Sequence, residues 1–168
     1  MNNSFIDKYI NTDISKLPYA ILDLETTGFK PGPAKITEVA IILYEDGKEE
    51  RFESFVNPEC HIPEEITNLT HITDEMVKNS PTIGELAPIL HNMLKNNIFV
   101  SHNVPFDWSF LKYFGYNLLD AHRAMNDTEA VKVLLLNFFD VLKEKGIVTF
   151  KDLYSSGLMY IDKPPIDK

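Results

Sequence analysis

The stretch YAILDLETTG, residues 19–28, decides the fold of this 168-residue chain. Residues 19–24 form an apolar run that is typical of a buried central β-strand. Side chains two positions apart on a strand point to the same face, so Asp23 and Glu25 should share one face at the strand end. Two carboxylates at this spacing repel each other and lose hydration unless a cation lies between them.

Two interpretations of this acidic pair are open from the residues alone. In the first, Asp23 and Glu25 lie beyond the strand end and are simply hydrated. In the second they bind a cation, and their flanks favour it, because an apolar strand precedes them and Thr26-Thr27-Gly28 follows. Gly28 permits a tight backbone turn that a substrate can approach.

Further strands are predicted after this one. Residues 35–47 are expected to form a strand that ends at Asp46-Gly47, a hairpin signal, with residues 48–56 as its partner. Residues 97–103 form another short apolar run. Early strands followed by helices and one more strand predict an α/β fold, a mixed sheet flanked by helices.

The helices carry clear end signals. Thr73 is a predicted cap of a short helix. Thr82 and Glu85 form a capping box before a helix that Pro88 should kink or delay. The longest helical pattern covers residues 121–146 and ends at a glycine.

Length and composition predict one domain with short extensions. Residues 1–17 are expected to be an arm or a short helix, 18–146 the folded domain, and 147–168 an extended or partly disordered tail. A single cysteine, Cys60, excludes a disulfide framework and fits a reducing compartment. No apolar run approaches membrane-spanning length, so we predict a soluble cytoplasmic protein without membrane contact.

The net charge of −9 argues against broad, charge-driven binding of duplex nucleic acid, which needs a basic surface. It does not exclude an enzyme that acts on nucleic acid. Carboxylates gathered around divalent cations are acidic in sequence but are partly neutralised once metal binds.

Two more acids, Asp107 and Asp127, fall in the predicted helices 105–114 and 121–145. If these helices form an antiparallel hairpin, the two acids lie at matching heights, since each residue advances a helix by about 1.5 Å. His122 would lie about one turn nearer the hairpin loop. Each of these residues also has an ordinary explanation. Asp107 would favour the dipole at a helix start, Asp127 would be a hydrated acid within a helix, and His122 would be a surface or capping histidine.

Four carboxylates from three segments suit hard divalent cations, Mg²⁺ or Mn²⁺, that prefer oxygen ligands. Two such ions about 3.5–4 Å apart can stabilise both the attacking and the leaving oxygens of phosphodiester hydrolysis. A neutral histidine nearby can take a proton from the attacking water.

Three motifs resemble, in order, those of the DEDDh-type 3′–5′ exonucleases: AILDLETTG (20–28), SHNVPFDWSFL (101–111) and AHRAMND (121–127). The resemblance covers about residues 18–145. It is closest to the proofreading epsilon subunit of bacterial DNA polymerase III and to the exonuclease domain of Gram-positive replicative polymerases. It implies a ribonuclease-H-like sheet and the stepwise removal of nucleotides from the 3′ end of single-stranded or frayed DNA as 5′-monophosphates, in proofreading or repair.

Carried over by motif, the resemblance implies roles for twelve residues. The ligands of two divalent cations would be Asp23, Glu25, Asp107 and Asp127, and the general base would be His122. The residues at the terminal nucleotide would be Thr26, Thr27, Asn103 and Phe106, and those near the 3′-terminal sugar and base would be Glu65, Thr70 and His71. Relatives often have glycine at the position of His71.

The chain departs from this family between the second and third motifs, where Asp107 and His122 are only 15 residues apart. Relatives usually have several tens of residues here, including an edge strand and another helix. Two other functions stay open. One is a 3′–5′ exoribonuclease, since local contacts to the ribose 2′-hydroxyl decide between DNA and RNA. The other is a catalytically impaired module that binds a DNA polymerase subunit.

Overall fold

A four-stranded mixed sheet forms the centre of the fold. The computed structural model describes residues 3–113 and 124–159, apart from the side chains at 3, 4, 107, 108, 111–113, 124–127, 129 and 130. The strands are β1 (Tyr19–Thr26), β2 (Ile36–Glu45), β3 (Lys48–Phe55) and β4 (Ile98–Val100). Their order is β3-β2-β1-β4, with β1 and β4 parallel and the other pairs antiparallel. The predicted mixed sheet is confirmed.

The turn between β2 and β3 is the predicted two-residue hairpin. Glu45 pairs with Lys48, and the two residues between them, Asp46 and Gly47, have φ angles of 47° and 80°. Positive φ at both central positions is the signature of the type I′ turn, whose twist matches that of the flanking strands.

β1 is the central strand, and all eight of its residues are buried. Alternate side chains divide between two cores. Leu22 and Leu24 pack with Leu86 and Leu90 on one face, whereas Tyr19 and other residues of the opposite face join a second cluster. The unbroken burial explains why this segment reads as a continuous apolar run rather than an alternating one.

Between the hairpin and residue 145, the described part of the chain forms five helices: α2 (Glu64–Thr70), α3 (Asp74–Val77), α4 (Ile83–Leu94), α5 (Val104–Tyr113) and α6 (Ala124–Glu144). The predicted caps at Thr73 and Thr82 are present, the second as a capping box with Glu85. Pro88 does not delay α4, which begins directly after its cap at Ile83. Gly146, with a φ of 78°, follows the end of α6 as predicted.

Both terminal segments pack onto the sheet. α1 (Asn3–Tyr9) and α7 (Phe150–Ser155) meet where the rings of Phe5 and Phe150 lie 5.9 Å apart, edge to face. Both rings are buried in the cluster that contains Tyr19 of β1. The expectation of an extended segment after residue 146 is therefore wrong for Phe150–Ser155, because distant apolar partners stabilise a helix there.

The C-terminal end of α6 is fixed to the segment before β1 by an ion pair. Lys143 Nζ lies 3.0 Å from Asp13 Oδ1, and the same carboxylate accepts hydrogen bonds from the hydroxyl and the backbone N–H of Ser15. The Ser15 hydroxyl bond is the largest contribution that lowers the pKa of Asp13 to about 2, with Lys143 adding to it.

Asp13→Asn is expected to lower the free energy of unfolding by about 1–2 kcal/mol at pH 7, less than the full shift because the carboxylate is partly exposed. The folded pKa is depressed, so the stabilisation is fully present above the unfolded value near 3.9 and is lost as the pH falls toward about 2. Urea denaturation at several pH values measures the difference. A gap between variant and wild type that stays constant from pH 7 to pH 2 would contradict this assignment.

In the part of the chain that the structure describes, no helix is both long enough and apolar enough to cross a membrane.

Candidate active site

The acidic pair of β1 lies inside the strand and is buried. Asp23 is 2% exposed and Glu25 is fully buried, and their antiparallel partners are Ala40 and Glu38 on β2. The interpretation that places the pair beyond the strand end in water is wrong. Both carboxylates lie on one face of the sheet, as their spacing predicts, and burial makes their proximity costly without a compensating positive charge.

A third buried carboxylate lies on the same face. Glu38 is 2% exposed and stands directly opposite Glu25. Directly opposed residues of an antiparallel pair point to the same side. Sequence reasoning did not single out Glu38; the available signal was an acid within the apolar pattern ITEVAIIL, but the pairing between β1 and β2 is not encoded locally.

A β-bulge follows this pair immediately. Glu25 pairs with Glu38 but Thr26 pairs with Ile36, which leaves Thr37 as an extra residue. Bulges bend a strand, increase its twist and often occur beside active sites, where they re-aim side chains. Thr37 is fully buried, and its hydroxyl has no hydrogen-bond partner in the described part of the structure.

α6 packs on the acidic face of the sheet, where Val131 and Phe139 join the cluster that contains Tyr19 and Ile21. The Phe139 ring packs 5.5 Å from the ring of Tyr19, the first residue of β1, and Lys143 pairs with Asp13 just before that strand. The C-terminal half of α6 therefore lies near the start of β1. Nearer the start of α6, Lys132 contacts Glu49 on β3, which the strand register places level with Tyr44 and Tyr19, so α6 crosses the strands.

α5 begins at the same edge of the sheet. Val100 on β4 pairs in parallel with Ile21, and the carboxyl ends of parallel strands meet at one edge. The chain then turns through Asn103, which is exposed, into α5. Asn103 accepts a bond from the backbone N–H of Phe106, at 2.9 Å to its carbonyl and 3.4 Å to its side chain. Phe106 is half-buried, and its ring contacts Phe110 at 5.2 Å.

Thr26 and Thr27 shape the loop that leaves β1, and both are buried. The Thr26 hydroxyl donates to the Gly28 carbonyl at 2.6 Å, and the Thr27 hydroxyl accepts from the Lys35 backbone N–H at 2.9 Å. Gly28 itself has no positive φ, and a Cβ built there would meet only the Ala34 Cβ, at 3.6 Å. The backbone conformation at position 28 thus does not itself require glycine.

The remaining substrate-site predictions lie on α2. Phe55 stands opposite Glu38 and packs against the apolar cluster of α2, which places this helix beside the acidic face. The buried Thr70 hydroxyl donates to the Ile66 carbonyl at 3.0 Å, so it stabilises the helix end. Glu65 and His71 are exposed.

His71 has a left-handed backbone conformation, with φ of 61° and ψ of 16°, at the end of α2. This is the conformation that helix ends usually assign to glycine.

The donor set of the acidic face suits hard cations, since it consists of buried carboxylate oxygens on one face. Among the described side chains, no three His, Cys, Asp or Glu residues form a group that could hold a metal ion. Two of the predicted ligands, Asp107 and Asp127, occupy described positions on α5 and α6, but their side chains lie outside the described part. His122 also lies outside the described residues.

Comparison with known proteins identifies the class. The profile of the exonuclease family of the RNase T type matches residues 20–120, more than half of the chain, and the chain belongs to this family. The fold agrees: exonuclease I superimposes with a TM-score of 0.54 at 18% identity, over 62% of this chain and 25% of that chain.

The similar curated proteins are PolC-type DNA polymerases III. The enzyme of Staphylococcus haemolyticus is 28% identical over 186 residues, with 87% of this chain and 13% of the relative covered. That of Clostridium perfringens is 38% identical over 110 residues, with 65% and 7% covered. The chain thus spans about an eighth or less of the length of these relatives.

The longer alignment also shows that this chain is short. It extends over 186 positions but contains 87% of 168 residues, so about 40 positions have no counterpart in this chain. Gaps of this size agree with the missing segment that the motif spacing indicates.

Proposed function

We propose that this chain is a metal-dependent 3′–5′ exonuclease that removes nucleotides one at a time from single-stranded or frayed DNA, releasing nucleoside 5′-monophosphates, in proofreading or repair. One observation carries the proposal. Asp23 and Glu25 are buried side by side on one face of β1, at the end of the sheet where α5 begins. A cation bound between two neighbouring buried carboxylates would relieve their mutual repulsion and offset their lost hydration.

The metal ligands would be the two acids of β1 together with Asp107 and Asp127. Position 127 is one helical turn before Val131, which is buried in the cluster that contains Tyr19 and Ile21. Bound Mg²⁺ or Mn²⁺ would neutralise these carboxylates and stabilise negative charge on the phosphate that is cleaved.

The other predicted residues would bind and orient the substrate strand. His122 would accept the proton of the water that attacks phosphorus. Thr26 and Thr27 would hold the terminal nucleotide through the loop that they fix, with Asn103 and Phe106 across the cleft at the start of α5. Glu65, Thr70 and His71 would contact the terminal sugar and base from α2, and Thr70 would do so through the helix end that it stabilises.

A DNA polymerase is the protein partner that we propose. The similar curated proteins are polymerases in which the matching region is a small part of a long chain. Association with a polymerase would bring the nuclease to newly made 3′ ends. A cytoplasmic location follows from this role.

The missing segment favours one alternative, a catalytically impaired module that binds a polymerase. About 40 positions of the longer alignment have no counterpart here. If those residues are essential for the cleft, the chain would keep its fold and lose turnover.

A time course on 5′-labelled single-stranded DNA with Mn²⁺ tests the proposal, with an EDTA control and a parallel RNA substrate. We expect a ladder that shortens by one nucleotide at a time from the 3′ end, released mononucleotides that carry a 5′-phosphate, and no ladder with EDTA. Faster shortening of RNA would favour the exoribonuclease. Both substrates intact at high enzyme concentration would favour the binding module.

A further inference from the structure

Lys132 is a buried lysine on the face of α6 that packs against the sheet. Its side chain is 10% exposed, and it lies next to Val131, which joins the apolar cluster on β1. Its Nζ lies 2.9 Å from Oε1 of Glu49 on β3. Arg51 holds the other oxygen of that carboxylate at 3.0 Å, so Glu49 is fixed from two sides.

An ion pair that buries its lysine is an expensive way to attach a helix. Removing a lysine from water costs several kcal/mol, and an apolar side chain of similar length often packs there at no loss of stability. An ion pair of this kind is best explained when it selects one placement of the helix from several that apolar packing alone would allow. The Lys132–Glu49 pair joins α6 to the edge strand β3 and links residues that are 83 positions apart in the sequence.

The position of this pair along α6 gives it a specific effect. Lys143, the other paired lysine, holds the C-terminal end, about 24 Å from position 127, whereas Lys132 is only about 7.5 Å away. If only the Lys143 pair held the helix, a rotation of α6 by about 2–3° about that end would displace position 127 by about 1 Å. A misplacement of that size can cost about a hundredfold in rate.

We propose that the Lys132–Glu49 ion pair is a positioning device, which fixes the N-terminal half of α6 and thereby the distance from position 127 to the acids of β1. This rests on the proposed metal-dependent nuclease function. The pair touches neither substrate nor the reacting atoms; it acts through the helix.

The test compares Lys132→Met with two matched variants at a temperature where all are folded. Lys143→Met breaks the other ion pair of the same helix, and Lys132→Arg keeps charge and hydrogen bonding. Two readouts are taken: the Mn²⁺ concentration that gives half-maximal nuclease rate, and the rise in melting temperature that Mn²⁺ produces. We expect Lys132→Met to need about tenfold more Mn²⁺ in both readouts, and the two matched variants to change by less than about twofold.

Three results would overturn the inference: a wild-type Mn²⁺ requirement in Lys132→Met, an equal rise in Lys143→Met, or a rise of the same size in Lys132→Arg. If Lys132→Met does not fold, Glu49→Gln breaks the same pair at its more exposed end, and a wild-type requirement there is equally decisive. A wild-type protein with neither Mn²⁺-dependent rate nor Mn²⁺-dependent stabilisation would overturn the proposed function, and this inference with it. A wild type that shows both, beside an unaltered Lys132→Met, would overturn this inference alone.

Discussion

Replacing Asp23 with asparagine is expected to lower the rate of nucleotide release about a thousandfold or more, because several kcal/mol of charge stabilisation at the cleaved phosphate would be lost. The fold should survive the change. Asparagine has the shape of aspartate, and its introduction removes one of two buried like charges at positions 23 and 25. Without metal, the melting temperature should therefore stay the same or rise.

The comparison needs three measurements: rate with Mn²⁺, melting temperature in EDTA, and the melting-temperature increase that Mn²⁺ causes. Asp23→Asn should lose the rate with Mn²⁺ and the melting-temperature increase that Mn²⁺ causes, and it should keep its melting temperature in EDTA. Asp127→Asn should behave in the same way, and Asp140→Asn, an exposed position of the same helix, serves as the matched control with wild-type values. Asp23→Asn with undiminished turnover would refute the assignment of this acid to the metal site.

Replacing Phe150 with alanine is expected to lower the free energy of unfolding by about 3–5 kcal/mol. The ring is fully buried, lies 5.9 Å from Phe5 and belongs to the same cluster as Tyr19, so its removal leaves a cavity between α1, α7 and the sheet. Leu158→Ala, at an exposed position in the same segment, should change stability by less than about 0.5 kcal/mol.

Urea denaturation of both variants decides the point. If Phe150→Ala costs less than about 1 kcal/mol, the segment after residue 146 does not belong to the cooperative unit. A large loss for both variants would instead mean that the segment is sensitive throughout, and the specific role of the buried ring would be wrong.

The parts of the fold that sequence predicts well depend on contacts between near neighbours. β1 is readable because it is buried on both faces and so forms an unbroken apolar run. The turn at Asp46-Gly47 is readable because its two positive φ angles restrict the residue types that fit. The capping box at Thr82 involves side-chain and backbone groups only three residues apart.

The features that sequence reasoning missed depend on distant partners. α7 contains one fully buried aromatic residue, Phe150, whose packing on Phe5 joins opposite ends of the chain. The placement of Glu38 beside Glu25 depends on a register that the bulge at Thr37 sets. No local pattern encodes either feature.

The same distinction between local and distant contacts applies to the candidate site. That Asp23 and Glu25 share a face follows from their spacing, and the structure confirms it. Their burial, which excludes a hydrated pair beyond the strand end, depends on the tertiary packing of the sheet, and no local pattern gives it. The side-by-side placement of Asp107 and Asp127 through a helix hairpin stays a prediction, and so does the role of His122 as base.

The central claim is that acids from β1, α5 and α6 still converge on divalent cations in a chain that lacks about 40 alignment positions of its relatives. A crystal structure with Mn²⁺ and a nucleoside 5′-monophosphate, with the metals located by anomalous scattering, tests it most directly. We predict two peaks about 3.5–4 Å apart, bound by Asp23, Glu25, Asp107 and Asp127. A map with no Mn²⁺ at Asp23 and Glu25, in crystals where the ion is bound elsewhere, would contradict the account.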